Sequence, residues 1–271
     1  MDPRGNTVEA EEKKDGEKTM SATDVTADLS SESCKIYVNG VEIRPLRKRL
    51  IILDINGLLA DVVSPPPEDH EADVTIEGRA NLNLISVFKR PFYLDFLKFC
   101  FKNFEVGLWS SRLEKFVGRD IDYLIPPFFK NKLVFCWDGS YCTQFWIYEQ
   151  GKKSVVYSKD LRKLWQKDDP NLPWNKLYYN ESNTLMLDVC PYRGRLNPRT
   201  TSVYPPTFNY HNKNDNSLAE GGELRAFLEG LTKAEDMRKY VKEHPFGQTI
   251  SNENSGRITR SSRYILEYRK D

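Results

Sequence analysis

Runs of consecutive apolar residues punctuate the middle of the chain, and most of them close on a polar residue able to do chemistry. "RLIILDI" ends at Asp54, "FEVGLWSS" at Ser110, "VVYSKDL" at Lys159 and "NTLMLDV" at Asp188; "KNKLVFCW" is a fifth run of the same kind. Continuous runs, rather than alternating apolar and polar positions, predict strands covered on both faces, the habit of parallel sheets. Helical spacing fills the gaps. After Pro91, Phe92, Phe96, Leu97 and Cys100 recur on one face, with proline at a first-turn position. Ser111 and Glu114 read as a capping box opening a helix through Phe116 and Val117. Leu224, Phe227, Leu228 and Leu231, then Met237, Tyr240 and Val241, make the buried stripe of a long helix or helix pair. Strands alternating with helices predict an α/β fold, an open and mostly parallel sheet with helices on both faces.

The same patterning predicts the domain limits. Residues 1–34 lack large apolar groups and read as a disordered arm. Residues 35–246 form the folded domain, and 247–271 a polar tail in which "RYILEY" could add an edge strand. Within the domain, "KIYVNGVEI" predicts a short hairpin about Asn39–Gly40. The stretch 61–82, with "SPPPEDHEAD", must loop out, and "VTIEG" with "NLISVFKR" reads as an edge hairpin or flap, a small insertion.

In an open parallel sheet the carboxyl ends of the strands meet at one crevice, where ligands bind. Taken singly, Asp54, Ser110, Lys159 and Asp188 have plain readings as a helix cap, turn chemistry or a solvated charge. Together they suit phosphoryl transfer: Asp54 as nucleophile or metal ligand, Ser110 and Lys159 on phosphoryl oxygens, Asp188 holding a divalent cation.

Composition narrows the partners. Lys and Arg number 40 against 39 Asp and Glu, so no global field draws the protein to nucleic acid or an acidic membrane. Five cysteines without a CxxC pair read as free thiols of a reducing compartment. The three histidines, His70, His211 and His244, lack ligand spacing, which argues against zinc. There is no apolar stretch of the roughly 20 residues that a membrane span needs, nor an apolar signal core at the amino terminus. Nucleus or cytoplasm is the expectation. The cluster "RPLRKRL" reads either as a nuclear address or as a basic rim beside a buried strand, and its run 47–49 as a solvated face or a contact for a phosphorylated or acidic partner. Trp137, Tyr141, Phe145, Trp146 and Tyr148 read as core, or as the lining of a peptide groove.

The ordered motifs resemble the haloacid dehalogenase superfamily, and within it the phosphatases acting on the carboxy-terminal domain of RNA polymerase II. Asp54, Ile55, Asn56, Gly57 and Leu58 stand for its Asp-x-Asp-Gly-Thr motif, and Arg90–Pro91 for its Arg-Pro. Trp109–Arg112 resembles its Trp-Thr-Ala-Ser segment, Lys159–Leu161 its Lys-Asp-Leu, and Asp188–Pro191 its final Asp-Asp/Asn-Ser-Pro motif. The resemblance covers roughly residues 49–243 and implies a Rossmann-like fold, a phosphoprotein or other protein partner, and Mg2+. In such a site Asp54 would attack phosphorus and form an aspartyl-phosphate. Residue 56 would be the general acid and base, Ser110 and Lys159 would hold phosphate oxygens, and Asp54, the Asn56 carbonyl and Asp188 would hold the metal.

Three departures fall inside that site. Asn56 carries an amide that can neither donate a proton to a leaving alkoxide nor take one from water. Val189 has no oxygen for a metal that wants near-ideal octahedral oxygen coordination, and Leu58 has lost the motif's hydroxyl. Cys190 for serine is a smaller change. The reading is a catalytically impaired or inactive phosphatase that keeps a phosphate-type pocket and acts by binding or assembly. The alternative is a weakly or conventionally active Mg2+-dependent serine/threonine phosphatase. Asp61 and Asp160 are poor replacements for the missing acid.

Overall fold

The computed structural model describes residues 36–38, 41–43, 48–77, 84–112, 121–149 and 152–247; of 36–38, 41–43, 77, 145–149 and 152–154 it describes the backbone alone. The chain divides after residue 47 into two units. The first contains β1 (Ile36–Val38) and β2 (Val41–Ile43), an antiparallel pair with Val38 opposite Val41. This is the predicted hairpin. The expected disordered arm, the helix expected from Glu114 through Phe116 and Val117, and the tail strand lie outside the described residues.

The second unit is built on a sheet that starts with β3 (Leu50–Leu53). Next come β4 (Ala60–Val63), β5 (Val74–Glu77) and β6 (Leu84–Lys89), which form a separate antiparallel sheet in the order β4-β6-β5. The flap therefore has three strands. Residues 60–63, expected to begin a loop, pair with β6 instead: Ala60 and Val62 are buried while Asp61 and Val63 are partly exposed, the alternation of a half-covered strand.

Helix α1 (Tyr93–Asn103) leads to β7 (Glu105–Trp109) and β8 (Leu133–Trp137). Phe96, Leu97 and Cys100 are its buried stripe. Phe92 does not belong to that stripe. It precedes the helix in a left-handed turn (φ 63°) and is 51% exposed. An antiparallel hairpin follows, β9 (Thr143–Glu149) with β10 (Lys152–Ser158), then a single helical turn over Arg162–Trp165. The chain re-enters the main sheet as β11 (Thr184–Leu187) and β12 (Ser202–Val203), and ends its described part with α2 (Glu223–Leu231) and α3 (Met237–Glu243).

The main sheet runs β12-β11-β3-β7-β8, every pair parallel, with Leu53 opposite both Leu187 and Leu108. This is the α/β architecture that the apolar runs predict. Strand β3 sits in the centre, its four residues fully buried, and it feeds both cores. Ile51 and Leu53 join one core with Phe96, Leu97, Leu224, Leu228 and Met237. Leu50 and Ile52 join the other with Trp109, Leu164, Trp165 and Trp174. The long helices thus cover one face, while a one-turn helix and irregular chain cover the second. Trp137 and Tyr141 belong to this second core, stacked at 4.4 Å between ring centroids. Arg49 of the basic run donates to the carbonyls of Thr232 and Ala234, and Lys48 pairs with Glu105. Among the described residues no helix is long and apolar enough to cross a membrane.

Candidate functional site

Asp54 stands one residue past β3, and Asp188 one residue past the neighbouring β11. The Asp54 N–H continues the ladder to the Leu187 carbonyl (3.0 Å), and both side chains are fully buried. Lys159 reaches them by a different route from the one expected. It follows β10, which belongs to the antiparallel hairpin and not to the parallel sheet. Its backbone is tied in place instead: the Lys159 N–H donates to the Arg193 carbonyl (2.7 Å), and the Lys159 carbonyl accepts from Asn197 Nδ2 (2.8 Å). Lys159 Nζ then donates to Asp54 Oδ1 (2.9 Å) and Asp188 Oδ2 (2.6 Å).

A fourth charged residue completes the group. Arg193, in the helical turn Pro191–Gly194, places Nη1 against Asp54 Oδ2 and 3.3 Å from Asp188 Oδ1. The Cys190 N–H also donates to Asp188 Oδ1, at 2.8 Å. Two carboxylates and two cations thus form a closed quartet. Burial works against the charged form of Lys159, but Asp188 and Asp54 outweigh it and raise its pKa. Burial likewise opposes the Arg193 charge and the same carboxylates raise it. Burial pushes the Asp188 carboxyl up, and Asp54 beside it adds to the push, against the pull of the two cations.

Reading the sequence missed Arg193. The only signal for it was a basic residue in the turn after the last motif.

The other expected residues are occupied locally. Ser110 stands one residue past β7, the neighbour of β3; its N–H donates to the Trp137 carbonyl and its Oγ accepts from the Arg112 N–H (3.1 Å). Asn56 Oδ1 accepts the Val62 N–H of β4 at 2.9 Å, so the amide ties the strand-end loop to the flap. Leu58 is fully buried and belongs to the core that contains Phe96 and Leu224. Val189 packs on Gly57: a Cβ built on that glycine (φ +82°) would lie 2.9 Å from Val189 Cγ2 and 2.8 Å from Thr207 Cγ2. Arg90 is buried beneath the same loop, donating to the Gly57 and Leu58 carbonyls (both 3.3 Å) and bidentately to Asp215 (both 2.9 Å).

The two acids weighed as replacements both have partners. Asp61 accepts from the Tyr210 N–H, and Asp160 is engaged with Arg162. The stretch 204–210 is a packed crossing, with Tyr204 and Phe208 buried and the Phe208 N–H bonded to the Gly57 carbonyl (2.8 Å).

The implied Mg2+ can be tested against this donor set. All four carboxylate oxygens of Asp54 and Asp188 already accept from a cationic side chain. Position 189 offers none, and a hard divalent ion needs several oxygen ligands in octahedral array. The residues as arranged do not fit a divalent cation.

Cys100 and Cys142 are buried thiols with raised pKa, Cys142 at about 11, burial being the main cause. Cys136 is exposed, on a strand at the edge of the sheet.

A parallel sheet with an aspartate beyond its central strand, a buried lysine and a second aspartate define a phosphatase-like domain of the haloacid dehalogenase type. Residues 49–238 match the NLI interacting factor-like phosphatase family, and the chain belongs to it. Ubiquitin-like domain-containing CTD phosphatase 1 of Danio rerio is 25% identical over 206 residues, 75% of this chain and 56% of that protein. The fission yeast RNA polymerase II CTD phosphatase Fcp1 bound to beryllium fluoride is 12% identical with a TM-score of 0.42, over 73% of this chain and 54% of that one. A second structure of Fcp1, an essential RNA polymerase II CTD phosphatase, gives 13% and 0.40, over 75% and 56%. The chain spans little more than half the length of each of these relatives.

Proposed function

We propose that this protein is a phosphatase-like binding protein whose own turnover is abolished, and which recognises a phosphorylated protein segment. The observation that carries this reading is the commitment of the Asn56 side chain. Residue 56 has no titratable group, and its amide oxygen is bonded to Val62 in the flap. The two acids weighed as replacements, Asp61 and Asp160, are bonded elsewhere. A positioned general acid and base contributes roughly 10²–10⁴-fold, so a site without one loses protonation of the leaving group and activation of the water together.

Recognition of phosphate is supported by what remains. Arg193 is 22% exposed at its side chain, the quartet's only member not fully buried, and a guanidinium suits phosphoryl oxygens. The names of the similar proteins favour a phosphorylated protein tail as ligand and the nucleus as location. Asp54 keeps its place at the strand end, so slow Mg2+-dependent dephosphorylation through an aspartyl-phosphate is the second reading.

The test is phosphate release from p-nitrophenyl phosphate and a phosphoserine peptide, with and without Mg2+. The parent should be silent. The double variant Asn56→Asp, Val189→Asp should gain Mg2+-dependent turnover, because it restores the acid and adds a carboxylate that a cation would balance. Parent turnover that disappears in Asp54→Asn would overturn the proposal.

A further inference from the structure

We propose that Arg193 is a built-in cation that replaces a divalent metal at the paired carboxylates; this rests on the phosphatase-like reading of the site and explains why its chemistry is closed. The geometry is specific. Asp54 Oδ1 and Asp188 Oδ2 are taken by Lys159, Asp54 Oδ2 and Asp188 Oδ1 by Arg193. The guanidinium therefore bridges the two carboxylates at the strand ends, on the oxygens that Lys159 leaves. Its backbone is anchored for the purpose: the Arg193 carbonyl accepts from both the Lys159 N–H (2.7 Å) and Ser158 Oγ (2.9 Å). The segments carrying the two cations are thus fastened to each other, and each reaches back to both acids.

Charge decides the competition. Two carboxylates against one ammonium and one guanidinium leave the buried group neutral. Adding a divalent ion to this quartet would leave two uncompensated positive charges in a site whose other members are fully buried, and uncompensated buried charge is strongly unfavourable. With only these two carboxylates in the site, the ion can enter only if Arg193 leaves. A guanidinium is more weakly hydrated than an ammonium and presents several donors in a plane, so it is well suited to stay. Val189 fits the same account. A site whose cation is carried by the chain has no use for a further oxygen ligand, and the side chain there packs on Gly57 instead.

The experiment is Mg2+ titration of the full chain by calorimetry, with melting curves at rising Mg2+, for the parent and Arg193→Gln. The parent should show no saturable heat and no shift in melting temperature. Arg193→Gln removes the charge while keeping a polar side chain, and should gain a saturable site with a melting temperature that climbs with Mg2+. A variant that is unfolded alone but folds when Mg2+ is added gives the same support. Saturable Mg2+ binding by the parent, lost in Asp54→Asn, would overturn the proposal. So would a folded Arg193→Gln protein that ignores Mg2+, or one that stays unfolded in its presence. Because the readout is binding, these failures leave the absence of turnover in the parent standing or falling on its own assay.

Discussion

Asn56, Leu58 and Val189 each differ from the family motif by a few atoms, and each has found other employment. The Asn56 amide joins the strand-end loop to the flap, Leu58 is core, and Val189 covers Gly57. The losses are visible in the sequence because they are losses of chemical type at fixed motif positions. Their new uses are not, because packing partners such as Thr207 lie far along the chain. Arg193 shows the same limit. No periodicity marks an irregular turn, and a guanidinium's reach leaves its target open until the fold is known. Gly57 holds the tightest backbone position of the loop, at φ +82° with two methyl groups where a Cβ would go. Gly57→Ala should therefore destabilise the protein by on the order of 1–3 kcal/mol from the backbone conformation alone, with the steric clash added. Chemical denaturation of the variant measures it.

Among the elements, β3, β7, β8 and β11 were legible because a strand buried on both faces needs an unbroken apolar run, and such runs are short and bounded. The helix pair was legible from its stripe. Strand β4 was hidden by the prolines that follow it, and β10 by its resemblance to another strand of the parallel sheet. Lys159 therefore enters the site from a hairpin, held by hydrogen bonds to the Arg193 turn and Asn197. Helix α3 offers a clean test of local stability. Asp236 caps it, accepting from the Lys239 N–H at 3.1 Å, and Asp236→Ala should cost about 1 kcal/mol. Slight burial works against the Asp236 charge, but Arg238 and the helix N–H groups outweigh it and hold the pKa below the usual value. A depressed folded-state pKa means that the contribution is complete above about pH 4. It is lost as pH falls through the folded value. The stability difference between parent and variant, followed by urea unfolding from neutral to acid pH, should be constant at first and then shrink on the acid side.

At the scale of the whole molecule, the loop that follows β3 is held from below by one long-range ion pair. Arg90 and Asp215 are 125 residues apart, and the arginine also holds the Gly57 and Leu58 carbonyls. The Arg-Pro motif drew attention to Arg90, yet its partner sits in a loop that no pattern singles out. Arg90→Met leaves a largely buried carboxylate unpaired and should destabilise by roughly 3–5 kcal/mol, whereas Arg90→Met with Asp215→Leu should recover much of that loss. Denaturant unfolding of both variants checks the pair. Taken as one object, the molecule has the parallel sheet of a phosphatase-like domain, with the four charges at its strand ends paired among themselves. The most direct test is phosphate release from a phosphoserine peptide with Mg2+ present, parent against Asp54→Asn. The account predicts two indistinguishable rates at the level of the blank. A parent rate well above that of Asp54→Asn would contradict it and show that Asp54 still attacks phosphorus.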